Sequence, residues 1–308
     1  MSELNKVDTE LLSVIADMKD GKAEGAYNIR KDSGCAGRVN TESVTITNKE
    51  DKPGIDIRFA PGCKESCHIP VIITESGLRD TVYNDFFVGE GADVVIIAGC
   101  GIHNCGEDAS EHDGVHTFYI GKNARVKYVE KHYGEGDGNG KNIMNPGTVA
   151  YLEEGAVLQM DTSQIGGIDS TNRNTRIVCG KKAEVVVTER LLTHGQQRAD
   201  SDMAIDLNGE DSKGRVISRS VAQDQSIQNF RPCVTGNARC FGHVQCDTII
   251  MGDAKISSVP EIRANCVDAQ LIHEAAIGRI AGDQLLKLET LGLTEEEAED
   301  RILKGFLA

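Results

Sequence analysis

Ten cysteines and eight histidines are the residues best suited to chemistry in this chain of 308. Thiolates are soft ligands and nucleophiles and imidazole is a borderline ligand, the donor mixture that zinc and iron-sulfur sites use. The candidates fall into three groups. Cys63-Lys-Glu-Ser-Cys67-His68 sets two thiols four apart beside an imidazole. Cys100-Gly-Ile-His103-Asn-Cys105, followed by His112 and His116, can assemble two thiolates and two imidazoles. Neither has the paired Cys-x-x-Cys spacing of a structural zinc site, and loops with incidental cysteines account for both equally simply. In the third group Cys233, Cys240, Cys246 and Cys266 precede His273-Glu274. A thiolate, an imidazole and a carboxylate held together would offer iron soft and hard ligands at once. Otherwise His273 and Glu274 merely finish a strand on a polar edge.

Other chemistries are excluded. Gly134-Glu-Gly-Asp-Gly-Asn-Gly-Lys-Asn142 has the wrong spacing for a phosphate-binding loop and carries two acids that repel phosphate, so the chain is not expected to hydrolyse ATP. In Gly89-Glu-Gly91, Val94 stands where a dinucleotide fingerprint needs its third glycine. A net charge of −15 argues against nucleic acid and anionic lipid as partners. The longest apolar run, residues 94–98, is far short of the roughly 20 residues of a membrane span. Residues 1–10 are polar and acidic, unlike a secretory signal, which points to the cytoplasm and to reduced thiols rather than a disulfide framework.

The elements that position these residues are mostly strands. Residues 5–19 space Val7, Leu11, Leu12, Ile15 and Met18 as one apolar helix face. Residues 25–55 carry no clear pattern. Beyond residue 80 a turn, a small residue and a β-rich run recur, the small residues being Ala92, Ala124, Ala156, Ala183, Gly214, Ala238, Ala254 and Ala269. Their separations are 32, 32, 27, 31, 24, 16 and 15. Units that cannot bury their apolar face alone must stack, which predicts a β-solenoid rather than a sandwich. Taking the shortest interval as one coil gives about 15 residues per coil and places some of Cys233, Cys246 and Cys266 on one lateral face. Two helices close the chain, one after Gly282 ending at Gly292 and one opened by the capping box Thr294-Glu-Glu-Glu297.

Gln245-Cys246-Asp247, Gly252-Asp253, Pro260-Glu261, His273-Glu274-Ala275, Gly282-Asp283-Gln284-Leu285, the run from Gly292 to Ala298 and Gly305-Phe306 resemble the C-terminal signature of the SUF-system iron-sulfur assembly scaffolds, SufB and SufD. The likeness is dense over residues 245–306, looser at Gly99-Cys100, His112 and residues 124–138, and thins before residue 80. It implies a mainly β fold, a right-handed parallel β-helix over residues 81–280, between an N-terminal helix with loosely specified strands (1–80) and C-terminal helices (281–308) that dock a SufC-like ABC-type ATPase. It also implies a non-enzymatic scaffold that holds a transient iron-sulfur cluster at an interface with itself or a second SufB or SufD chain, fed by a sulfur donor and an iron source. By position Cys246, His273 and Glu274 match the family's interface cysteine and His-Glu pair, which is SufB-like; Cys233, Cys240, Cys266, Cys100 and His112 extend the candidate metal set. The chain is short, and no cysteine lies between Cys105 and Cys179, where long SufB proteins place the residue that receives sulfur first. A SufD-like adaptor that ligates no cluster is the rival reading. A polysaccharide lyase fits poorly with no Trp and a cytoplasmic start.

Overall fold

The structure, a computed structural model, describes residues 4–307; Met1, Ser2 and Glu3 of the polar start and the terminal Ala308 lie outside the described residues. Short β-branched runs between Gly, Asn and Asp turns form strands in which every second side chain is buried, as in Glu184–Thr193 and Arg198–Leu207. Such strands stack into a parallel β-solenoid of about eight turns, with a ten-stranded and an eleven-stranded sheet enclosing one core. The core is apolar through Ile96, Phe118, Tyr128, Leu158, Val185, Ile205 and Val244.

The coil is longer than 15 residues. Register partners Asp93, Arg125, Val157, Glu184, Lys213, Phe241 and Gln270 are 32, 32, 27, 29, 28 and 29 apart. Each coil contributes one strand to each sheet, so the intervals of 16 and 15 after Ala238 are half-coils that alternate between the two sheets. Ala92, Ala124, Ala156 and Ala183 sit fully buried at the same corner of successive coils, where a larger side chain would meet the neighbouring turn.

Residues 25–55, patternless in sequence, form two antiparallel hairpins that end the ladder: Ala26–Lys31 with Gly34–Val39, and Val44–Asn48 with Gly54–Phe59. Parallel pairing already joins Ala26–Lys31 to Ser66–Ile73 and that strand to Asp93–His103. The helix Lys6–Ala16, opened by an Asn5–Asp8 capping box, buries Leu11, Leu12 and Ile15 on the outside of Asp93–His103. It comes so close that a Cβ on Gly99 would lie 2.2 Å from the Ile15 carbonyl oxygen. With glycine at outward positions 99 and 101, the side chain between them, Cys100, turns into the core.

Helices Gly282–Glu289 and Glu295–Phe306 close the chain, the second opened by the Thr294–Glu297 capping box that the spacing predicts. Arg219, on the solenoid, donates to the Phe306 carbonyl at 3.4 Å. No helix among the described residues is long and apolar enough to cross a membrane.

Candidate functional site

Because coils stack in register, residues one coil apart on the inward face meet inside. Asp80 pairs with His112, Asn84 with His116 and Cys100 with His132, each 32 positions on and all buried. A continuous polar network follows. His116 Nδ1 is 2.7 Å from the Tyr128 hydroxyl, which donates to Glu130 Oε1 at 2.9 Å. Arg173 donates to Glu130 Oε2 at 2.7 Å and its Nε lies 3.4 Å from Glu189, which accepts from Ser201 at 3.0 Å. Burial lowers His116 to about 4, against the pull of Glu130, so its ring is neutral. Since the Tyr128 hydroxyl donates its hydrogen bond to Glu130, His116 Nδ1 carries the ring hydrogen and donates to the Tyr128 oxygen, and Nε2 faces the Asn84 amide at 3.4 Å.

Cys100 lies beside both His112 and His132. Burial raises its pKa, but the two imidazoles outweigh burial and bring the thiol from 9.0 down to about 7. Reciprocally, burial lowers His112 while Cys100 and Asp80 raise it to about 10, and burial lowers His132 while Glu130 and Cys100 raise it to about 9. Near neutral pH the Cys100 thiol is therefore poised between thiol and thiolate beside two imidazolium groups, the kind of neighbour that activates a cysteine nucleophile. Asp80 faces His112 Nδ1 at 3.4 Å, an ion-pair contact without hydrogen-bond geometry. Burial raises the Asp80 carboxyl, but bidentate Arg30 at 2.6 and 2.8 Å, with His112 and Ser33, holds it well below the usual carboxylate range.

Beyond Arg173 the interior stays polar as far as Cys246, which shares a small cavity with Glu189, Ser201, Ser218, Gln228 and Ser258. Cys246 is 2% exposed; burial outweighs the neighbouring Ser258 and pushes its thiol up to about 11. The register sets Ala275 beside Cys246 and His273 beside Val244. His273 therefore shares the inward side of Cys246, two residues along the next strand, and its Nε2 has no hydrogen-bond partner. Glu274 takes the outward side and meets His243 Nε2 at 3.5 Å.

The remaining candidates disperse. Cys233 lies near Glu261 and Arg263, Cys240 near Cys266. Cys63 and Cys67 pack in the apolar core, where burial and Cys63 push Cys67 up to about 12. The second sequence group splits: Cys100 and His112 meet inside, whereas Cys105 is exposed with its sulfur 3.1 Å from His103. Among the described residues no three His, Cys, Asp or Glu side chains are grouped to hold a metal ion. Reading the sequence missed His132, Glu130, Tyr128, Arg173 and His243; the interval of 32, taken as a whole coil, pairs Cys100 with His132.

Residues 79–306 match the family described as SUF system FeS cluster assembly, SufBD core domain. The chain belongs to the SufBD family. It is 28% identical over 284 residues to an iron-sulfur cluster assembly SufBD family protein of Methanothermobacter thermautotrophicus, covering 88% of this chain and 67% of that one. A SufBD family protein of Methanocaldococcus jannaschii is 27% identical over 290 residues, covering 92% and 90% of the two chains, and one of Archaeoglobus fulgidus is 27% identical over 271, covering 86% and 71%. Membership implies a role in iron-sulfur cluster assembly.

Proposed function

We propose that this SufBD chain is a scaffold for iron-sulfur cluster assembly, working with a SufC-like ABC-type ATPase on its C-terminal helices. The nascent cluster, as cargo, is held between two protomers by Cys246, His273 and Glu274. One observation carries this reading: the strand Ala269–Gly278 is the last of its sheet, and it leaves Ile272 and Ile277 exposed one strand away from Cys246. An open edge recruits another strand. On this reading the second protomer completes a ligand set that one chain supplies only in part, and the mixture of thiolate, imidazole and carboxylate lets the cluster leave. Cys100 is the sulfur acceptor. Its thiolate attacks the outer sulfur of a donor persulfide, forming the Cys100 persulfide and releasing the donor thiolate.

Anaerobic reconstitution with iron and sulfide, followed by absorption and Mössbauer spectroscopy, tests the assignment. Cys246→Ser is expected to lose iron and sulfide uptake while keeping its circular dichroism spectrum. Unchanged iron and sulfide in that variant rejects the ligand. The adaptor reading draws on a different observation, that Cys246 is a buried neutral thiol facing away from Glu274. It is favoured if the homodimer takes no cluster yet pairs readily with a second scaffold.

A further inference from the structure

At its first end the solenoid opens as a cavity of about 650 Å³ between the two sheets. Its wall carries five cations, Arg30, Arg38, Lys49, Lys52 and Arg79, against one carboxylate, Asp80, on a chain whose net charge is −15. Three of the five have acidic partners: Arg30 has Asp80, Lys49 has Asp56 and Asp85, and Arg79 has Glu111 at 3.5 Å. Arg38 and Lys52 have no carboxylate partner among the described residues. Arg38 donates to the side-chain oxygens of Asn28 and Asn48 at 2.8 and 2.6 Å, which fixes the guanidinium without cancelling its charge. Lys52 sits 4.5 Å from the centre of the Tyr83 ring, another neutral partner.

We propose that this mouth is a binding site for a small anion. A concave, low-dielectric wall focuses the field of uncompensated cations, which distinguishes it from lysines scattered on a convex surface. Most of the wall precedes residue 79, where the match to the SufBD core domain begins. Asp80 and Asn84 line the mouth, and their register partners on the next coil are His112 and His116, with Cys100 beside His112. The ligand class follows from that position as the anionic sulfur compounds that cluster assembly consumes. This second step rests on the scaffold reading, whereas the preference for anions rests on the cleft alone.

Cys35 makes the cleft measurable. It lines the mouth, is exposed, and its sulfur lies 3.6 Å from Asn28 Oδ1. Iodoacetate and iodoacetamide attack the same thiolate, so the ratio of their rates cancels the thiolate fraction and reports the local potential. Cys105, exposed beside Asp137, is the reference in the same molecule. Peptide mass spectrometry of the full chain is expected to give a rate ratio roughly three- to tenfold higher at Cys35 than at Cys105. Lys52→Gln, on an exposed loop, and Arg38→Gln each lower the Cys35 ratio, and high salt removes the difference. Because thiosulfate itself consumes iodoacetamide, protection is read as the Cys35 rate relative to Cys105 in the same tube: millimolar thiosulfate, as the probe anion, lowers that ratio in the native chain and not in the Arg38→Gln, Lys52→Gln double variant. An iodoacetate-to-iodoacetamide ratio no higher at Cys35 than at Cys105, or a Cys35 rate that thiosulfate leaves unchanged relative to Cys105, overturns the proposal. Thiosulfate protection in a chain that takes up no cluster on reconstitution upholds the anion site and removes only the sulfur assignment.

Discussion

Cys100 and Cys246 line one interior but carry opposite shifts, because only Cys100 has imidazoles beside it. The thiolate absorbance at 240 nm, taken as the difference between the native chain and Cys100→Ser, is expected to rise with a midpoint near pH 7. His112→Gln removes a positive neighbour and should raise that midpoint by about one unit or more. The stability consequence has a definite sign. Cys100, lowered from 9.0 to about 7, contributes fully above pH 9 and loses its contribution as pH falls through 7. His112, raised from 6.5 to about 10, contributes fully below pH 6.5 and loses it as pH rises through 10. Both are charged only between about pH 7 and 10, so the urea-unfolding difference between the native chain and Cys100→Ser should shrink from pH 8 to pH 6. A constant difference rejects the ion pair. Residue types alone singled out Cys100 and His112 as candidates. They could not expose His132, Glu130 or Arg173, whose relevance depends on how many residues make one coil.

At the scale of elements, the turn-small-strand signal was sufficient to show stacking and insufficient to show its pitch. Up to Ala183 the small residues mark one corner per coil, whereas Ala254 marks the opposite corner, so the same signal measures a full coil in one stretch and half a coil in another. Both terminal capping boxes are local hydrogen-bond patterns; the C-terminal one was legible, and the Asn5–Asp8 box follows the same chemistry. The hairpins of residues 25–55 were illegible because their pairing is decided by the coil they cover. The first helix supplies the prediction here. Gly99→Val would drive a Cβ into the Ile15 carbonyl, forcing the helix off the sheet that points Cys100 inward. We expect a loss of about 1–3 kcal/mol in urea unfolding and new proteolytic cleavage between residues 17 and 25. Unaltered stability and cleavage would show that the helix does not clamp this strand.

For the whole molecule, the two ends of the solenoid differ in kind. Stacked strands leave unpaired backbone at each end, and such edges associate unless they are covered. The first end is turned back on itself by antiparallel hairpins and opens between the sheets as a basic mouth. The last end stops at Ala269–Gly278, a full ten-residue strand with Ile272 and Ile277 exposed, while Val259, Ile262 and Val267 are exposed nearby. On the scaffold reading, a second copy related by a two-fold axis would satisfy both edges with the same residues, the self-complementary contact that closed dimers use. Such a pair would also bring two copies of Cys246 and His273 toward one seam, as the scaffold reading requires. Ile277→Asp places a charge on that edge, at a side chain that is 46% exposed. Sedimentation is expected to show a dimer for the native chain and a monomer for the variant, with unchanged circular dichroism and with cluster uptake lost together with the dimer. A variant that remains dimeric places the contact elsewhere; a monomer that still takes up iron and sulfide separates assembly of the cluster from pairing of the scaffold.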